Sequence, residues 1–179
     1  AYSLALLGEK PKVFATAGID FSEYRQWMES HGIDARYIHE IPDKYTASFF
    51  VNTDLENNQI ASFYTGAMAD ASKFSLKDIP REDIDYMVIS PNDPAAMRRQ
   101  TDECTELGIP YLFDPSQQVA RNPHEDLRAW VEHAHAVFCN EYEFDLLVKH
   151  TGLSKHAIDN HVQLLVITLG EKGARVVAE

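Results

Sequence analysis

Short apolar runs alternate with amphipathic stretches along most of this 179-residue chain, and that alternation constrains its fold more than any other feature. Lys12–Ala17, Tyr86–Ser90, Tyr111–Phe113, Ala136–Cys139 and Leu164–Thr168 have the length and composition of strands. Helices are predicted between them. Asp20 is placed to N-cap the first, in which Phe21, Tyr24, Trp27 and Met28 recur at helical spacing before Gly32 ends it. Others are Pro94–Leu107, stopped by Gly108; Pro123–His133; Glu141–His150, stopped near Gly152; and a short helix capped by Ser154 that runs towards His161. Tyr2–Leu7 reads as the tail of a helix stopped by Gly8, and Ser75–Asp83 as a polar connection. Strands separated by helices run parallel through right-handed crossovers. The prediction is an α/β layer sandwich with a mostly parallel sheet.

One region breaks the alternation. Thr46–Thr53 and Ile60–Thr65 are rich in β-branched and aromatic residues, and the polar stretch Asp54–Gln59 lies between them. With no helix to separate its strands, the pair is a hairpin that projects from the sheet as a flap. The predicted organisation is thus an α/β domain beginning at 1–45, a flap at 46–66 and the α/β domain continued through 67–179. Gly170 and Gly173 bracket a turn into a last strand, Ala174–Ala178.

Composition excludes several functions. A formal charge of −12 argues against a nucleic-acid or anionic-membrane surface, which would need a Lys/Arg excess. Two cysteines, Cys104 and Cys139, do not make a disulfide framework, and the expected location is the cytosol. No apolar run approaches the roughly 20 residues of a membrane span. The start of the chain has no cationic segment of the kind that opens a signal peptide. The eight histidines show no metal-ligand spacing and read as surface or helix-end residues.

In open parallel sheets, ligands bind beyond the carboxyl ends of the strands. That rule selects Gly18–Asp20, Asp114–Gln118, Asn140–Glu143 and Thr168–Gly173. Asn140 and Glu143 have the spacing of a helix capping box. The same two groups could equally hold waters around a Mg²⁺ that bridges phosphates. Thr168, Gly170 and Gly173 read either as a plain turn or as a place where backbone approaches a phosphate or ribose. Gln117 and Gln118 carry amides that can both donate to and accept from a purine edge. On the flap, alternation puts one of Phe49/Phe50 and one of Phe63/Tyr64 on each face, so one aromatic pair can close over a planar ligand.

Taken in order, Gly18-Ile-Asp20, the flap ending in Tyr64-Thr-Gly66-Ala67, Asp114-Pro115, Asn140-x-x-Glu143 and Thr168-Leu-Gly170-x-x-Gly173 resemble the ribokinase-like (PfkB) family of carbohydrate and nucleoside kinases. FDPSQQ, IASFYTGAM and the helix start NEYEFDLL are similar to the bacterial adenosine kinases. The resemblance implies a three-layer αβα sandwich with a β lid, and ATP- and Mg²⁺-dependent phosphoryl transfer to the 5′-hydroxyl of adenosine. By the resemblance, Phe49 and Phe63 enclose the adenine and Gln117 and Gln118 bond it or its sugar. Asn140 and Glu143 organise Mg²⁺ through water, and Thr168, Gly170 and Gly173 line the ATP site. The spare aromatic face of the flap implies a homodimer.

Two alternatives stay open: a ribokinase- or fructokinase-type sugar kinase, and a purine-binding module without catalysis. The family's Gly-Ala-Gly-Asp motif, which carries the catalytic base, is expected beyond Glu179. The early Gly-Gly segment and the sugar-binding Asp are expected before residue 1. Glu23 stands where the family commonly has a glycine. The expectation is a central piece of a longer kinase, inactive by itself.

Overall fold

The structure is a computed structural model, described here for residues 1–56, 58–120 and 124–178. The chain divides into two compact units, Ala1–Lys73 and Phe74–Glu179.

In the first unit, helix α1 (Tyr2–Leu6) precedes strand β1 (Ala15–Ala17), helix α2 (Ser22–Ser30) and strand β2 (Ile38–Glu40). β1 and β2 pair in parallel, Thr16 opposite His39, as a separate two-stranded sheet. The strand β2 is absent from the sequence reading. Three residues, only one of them fully buried, give no periodicity to detect. His39 on β2 is half-buried and sits edge-on to Phe14, so it is a strand residue rather than a surface or helix-end one. Phe21, Met28, Ile33, Ala35 and Ile38 form the core beneath α2. The α2 guanidinium of Arg25 donates to the carbonyls of Ala35 and Ile38 and to the carboxylate of Glu40, which fastens the helix across β2.

The hairpin follows within the same unit. β3 (Ser48–Thr53) and β4 (Gln59–Tyr64) are antiparallel, with Phe49 opposite Phe63 and Val51 opposite Ala61. At its tip the Asp54 carboxylate accepts from the backbone N–H groups of Glu56 and Asn58. Asn57, part of the predicted connection, lies outside the described residues. A 3₁₀ segment at Gly66–Lys73 closes the unit.

The second unit carries a five-stranded sheet in the order β5 (Met87–Ile89), β6 (Tyr111–Phe113), β7 (Ala136–Asn140), β8 (Leu164–Thr168), β9 (Ala174–Ala178). The first four are parallel, and helices α3 (Pro94–Leu107), α4 (His124–His133), α5 (Glu141–Thr151) and α6 (Lys155–His161) supply the crossovers. Only β9 runs antiparallel, because the turn at Gly170–Lys172 is too short for a crossover. The predicted first residue of α4, Pro123, lies outside the described residues. Asp93 caps α3 by accepting from Ala95 and Ala96 N–H, with Pro94 at the first helical position, where its missing N–H costs nothing. Gly108 and Gly152 end α3 and α5 in the left-handed conformation. Phe113, Val137, Leu147 and Leu165 are fully buried at the centre.

Ser75–Asp83 is more than a polar connection. Leu76 and Ile79 are buried, and Glu103 of α3 reaches the segment from the core. Its carboxylate accepts from Ser75 Oγ at 2.6 Å and from Leu76 N–H at 2.7 Å, and pairs with Arg99 at 2.8 Å. A buried charge this well bonded is a fastening, not a liability.

Candidate functional site

In the first unit, chemistry-bearing residues gather at the root of the hairpin. Asp20 does not cap α2; Phe21 occupies that position and provides no side-chain cap. Asp20 Oδ1 instead accepts from Thr46 N–H and from Thr46 Oγ1–H, each at 2.8 Å. Thr46 Oγ1 in turn accepts from Gly18 N–H at 2.9 Å. Local spacing favoured the cap, but Phe21 takes that position and the Asp20 oxygen meets two donors of a threonine 26 residues away.

Gly18 is required here. A Cβ at this position would lie 2.3 Å from the Tyr45 carbonyl carbon and 2.4 Å from both Lys44 O and Thr46 N. Gly66 approaches the same segment, at φ +48°, where a Cβ would meet Tyr45 O at 2.2 Å. Ala67 N–H donates to that Tyr45 carbonyl at 2.9 Å. Beyond it, the buried Asp70 carboxylate accepts from Lys44 and Lys73, both at 2.6 Å. Lys44 and then Lys73 hold the Asp70 carboxyl below its ordinary value, and Thr46 does the same for Asp20. The sequence motifs Gly18-x-Asp20 and Gly66-Ala67 therefore meet on one three-residue stretch, 44–46.

On the hairpin itself, Phe49 and Phe63 are directly opposed and so share a face. Phe50 and Tyr64 share the other. All four rings are exposed, Phe49 at 58% and Phe63 at 48%.

In the second unit, the parallel strands present their carboxyl ends along one edge. Asn140 ends β7 and stands in register with Thr168, the last residue of β8. Asn140 Oδ1 accepts from Glu143 N–H at 2.8 Å, and Glu143 Oε2 accepts from Asn140 N–H at 2.9 Å. This is a complete capping box at the N-terminus of α5. It engages one oxygen of the Glu143 carboxylate. After Thr168 the chain passes through Gly170 at φ +59° and Gly173 at φ +90°, conformations that suit glycine.

The turn after β6 is tighter still. Ser116 adopts φ +43°, the one positive φ outside glycine among the described residues. Burial raises the Asp114 carboxyl above its ordinary value, and the nearby Glu143 charge adds to the rise. Asp114 and Glu143 are thus electrostatic neighbours at the ends of β6 and β7. Gln117 is exposed. Gln118 is buried, and its amide donates to the Asn92 carbonyl at 3.0 Å, tying the loop after β6 to the loop after β5. Burial pushes the Cys139 thiol up to about 12, as its place in an apolar strand predicts for an inert thiol. Among the described residues, no group of three or more His, Cys, Asp and Glu side chains is arranged to hold a metal directly.

The pfkB family carbohydrate kinase model matches residues 1–179 of this chain. The chain belongs to the pfkB family. Among its relatives, a nucleoside kinase of Methanothermobacter thermautotrophicus is 28% identical over 97% of this chain and 57% of its own length. A Burkholderia thailandensis nucleoside kinase, solved with inosine and with ADP-inosine, is 34% identical. Those two structures superpose with TM-scores of 0.89 and 0.91 over 98% and 100% of this chain, and 57% and 56% of theirs. The nucleoside kinase of Methanocaldococcus jannaschii, a ribokinase-family member, is 22% identical and shares the fold, with a TM-score of 0.88 over 100% of this chain and 59% of its own. The ribokinase-like fold expected from the sequence is thus present. The chain spans a little over half the length of these pfkB relatives.

Sequence reasoning missed the work of Thr46, Lys44 and Asp70. A Lys-x-Thr before a strand run carries no signal by itself. Only the partners at residues 18–20 and 66–73 give it meaning.

Proposed function

We propose that the full-length protein containing this chain is an ATP-dependent nucleoside kinase that transfers the γ-phosphoryl group in line to the 5′-hydroxyl of a purine nucleoside, with adenosine giving AMP. The observation that carries this reading is the Phe49–Phe63 pair, directly opposed on a hairpin whose faces are both exposed. Aromatic rings sharing one exposed face suit a flat base, whose π-face can stack on them. The likeness to nucleoside kinases, one of them bound to inosine, supports the purine over the sugar alternative.

Gln117 and Gln118 are assigned to the base or its ribose. Gln117 would make that contact directly. Gln118, already bonded to the Asn92 carbonyl, would set the loop that presents it.

Thr168 and the turn at Gly170–Gly173 are assigned to the ATP phosphates, whose close approach glycine permits. Asn140 and Glu143 fit a hydrated Mg²⁺ rather than a directly ligated one. The capping box holds both side chains rigidly and uses only Oε2 of Glu143, leaving Oε1 outside the box. The ion, when bound, would neutralise phosphate charge as the transferred group develops it. These residues bind and orient; the proton on the 5′-hydroxyl is assigned to a base outside this chain.

The other hairpin face carries Phe50, Tyr64 and Ile60, exposed at 64%, 47% and 77%, and is assigned to pairing with a second copy.

A substrate panel on the full-length protein tests the reading. With ATP and Mg²⁺, ADP formation should be faster with adenosine or inosine than with ribose or fructose at equal concentration. Preference for either sugar would overturn the purine assignment. This chain alone should form no ADP with adenosine.

A further inference from the structure

The closed set of hydrogen bonds at the hairpin root has no part in the reading above. Gly18 N–H donates to Thr46 Oγ1, Thr46 Oγ1–H donates to Asp20 Oδ1, and Thr46 N–H donates to the same oxygen. The three bonds are 2.9, 2.8 and 2.8 Å, so the hydroxyl is both acceptor and donor in one fixed rotamer. Ile19 N–H adds a fourth bond, to Lys44 O at 2.9 Å. Ala67 N–H also holds Tyr45 O, and the Asp70 carboxylate holds the Lys44 ammonium. Backbone groups of residues 44–46 are thus bonded to Ile19, Asp20 and Ala67, and the Lys44 side chain to Asp70, while every residue of β3 after Ser48 is exposed.

We infer that Asp20 and Thr46 are positioning residues that set the angle at which the hairpin carries Phe49 towards its ligand. The inference deepens the nucleoside-kinase reading and rests on it for the nature of that ligand. Phe49 is three residues beyond Thr46, a reach of about 10 Å in extended chain. A tilt of roughly 10° at the root would move its ring by about 2 Å, and misplacement by about 1 Å is enough to cost a bound substrate its productive pose. The hairpin has no buried core to resist such a tilt, so its direction is decided at the root. Asp20 Oδ1 and the Thr46 hydroxyl make three of the bonds that fix it. Asp20 is exposed and meets its partner only through these bonds, a role distinct from filling the core.

The test uses the full-length protein and four variants: Asp20→Ala, Asp20→Asn, Thr46→Val and Thr46→Ser. Amide hydrogen exchange across 47–65 should quicken about tenfold in Asp20→Ala, while exchange across 136–140 and 164–168 stays unchanged. The nucleoside KM should rise about tenfold in the same variant, with the ATP KM within about twofold of the parent. Thr46→Val, which keeps the N–H but loses the hydroxyl, should show the same pattern at about threefold. Thr46→Ser should return to within about twofold of the parent, and Asp20→Asn should fall between. Unchanged hairpin exchange together with an unchanged nucleoside KM in Asp20→Ala and Thr46→Val would overturn the inference, as would a rise in both KM values alike. If Asp20→Ala does not fold, the Thr46 pair decides alone. If the parent protein uses no nucleoside at all, the functional reading falls, and hairpin exchange still decides whether the root is set by these bonds.

Discussion

The hairpin at Ser48–Tyr64 and the sheet of β5 to β9 are both built of β-branched and aromatic residues, yet they are held in opposite ways. In the sheet, Ile89, Phe113, Val137 and Leu165 form the interior and are wholly buried, while Val88 and Val176 stay exposed. In the hairpin such side chains lie outside, and apart from half-buried Ser48 every described residue of both strands is exposed. A two-stranded ribbon has marginal stability in water. This one keeps its place through its ladder and through the polar bonds at residues 44–46. The lesson is that the same β-branched and aromatic residue types can serve as packing or as a presented surface, and burial decides which.

The contrast can be broken most directly with two phenylalanines. Phe113→Ala should cost about 3–5 kcal/mol of unfolding free energy in chemical denaturation, because a buried ring packed edge-on to Trp130 is lost. Phe49→Ala should change stability by about 0.5 kcal/mol or less, as exposed substitutions do, yet raise the nucleoside KM of the full-length protein about tenfold. Equal stability losses would erase the distinction between the two regions.

Gly18→Ala probes the root. Its Cβ would press on backbone rather than on a flexible side chain. Overpacking of that kind should cost about 1–3 kcal/mol in thermal or chemical unfolding. A neutral result would mean that residues 44–46 can retreat without loss.

Asn140→Ala should cost about 1 kcal/mol through the lost cap of α5. Asn140→Ser, which can still cap, should restore stability. If the ATP KM rises in both variants, the asparagine does more than start a helix.

The smallest effects are in pH, and their signs differ between the regions. Asp20 and Asp70 have carboxyls held below the ordinary 3.8, so the folded state favours their ionised forms. Their contribution is complete above the unfolded value of about 3.9 and disappears as pH falls through the folded value. Hairpin exchange should quicken over that acid range. Asp114 is raised by burial, so its ionisation costs stability. That cost is absent below about pH 3.9 and complete above its folded value. Asp114→Asn should therefore raise the melting temperature at pH 7, with the gain vanishing near pH 3. A gain that persisted at pH 3 would point to packing rather than charge.

Most of the second unit was legible because each element carries its own punctuation. Asp93-Pro94 opens α3 and Gly108 closes it; Asn140 and Glu143 open α5 and Gly152 closes it. Capping and periodicity act over a few residues, so they survive in a one-dimensional reading. The same local logic failed at Asp20, where spacing suggested a cap but Phe21 takes that position and the Asp20 oxygen is claimed by Thr46. It failed too at Ser75–Asp83, where Leu76 is buried by contacts a polar composition hides, and at the three-residue β2. Gln118 shows the limit for the candidate site: a paired amide was visible, but its inward turn to Asn92 was not.

By itself, the sequence determined the α/β class, the hairpin, the order of the strand-end motifs and the pfkB likeness, because these depend on local spacing and on side-chain alternation. Tertiary structure alone decided that Phe49 stands opposite Phe63, that Asn140 aligns with Thr168, and that Gly18, Asp20 and Gly66 all serve residues 44–46. Register and close backbone approach are relations between distant segments. They are settled by competition among donors and acceptors that only the folded chain brings within 3 Å of one another.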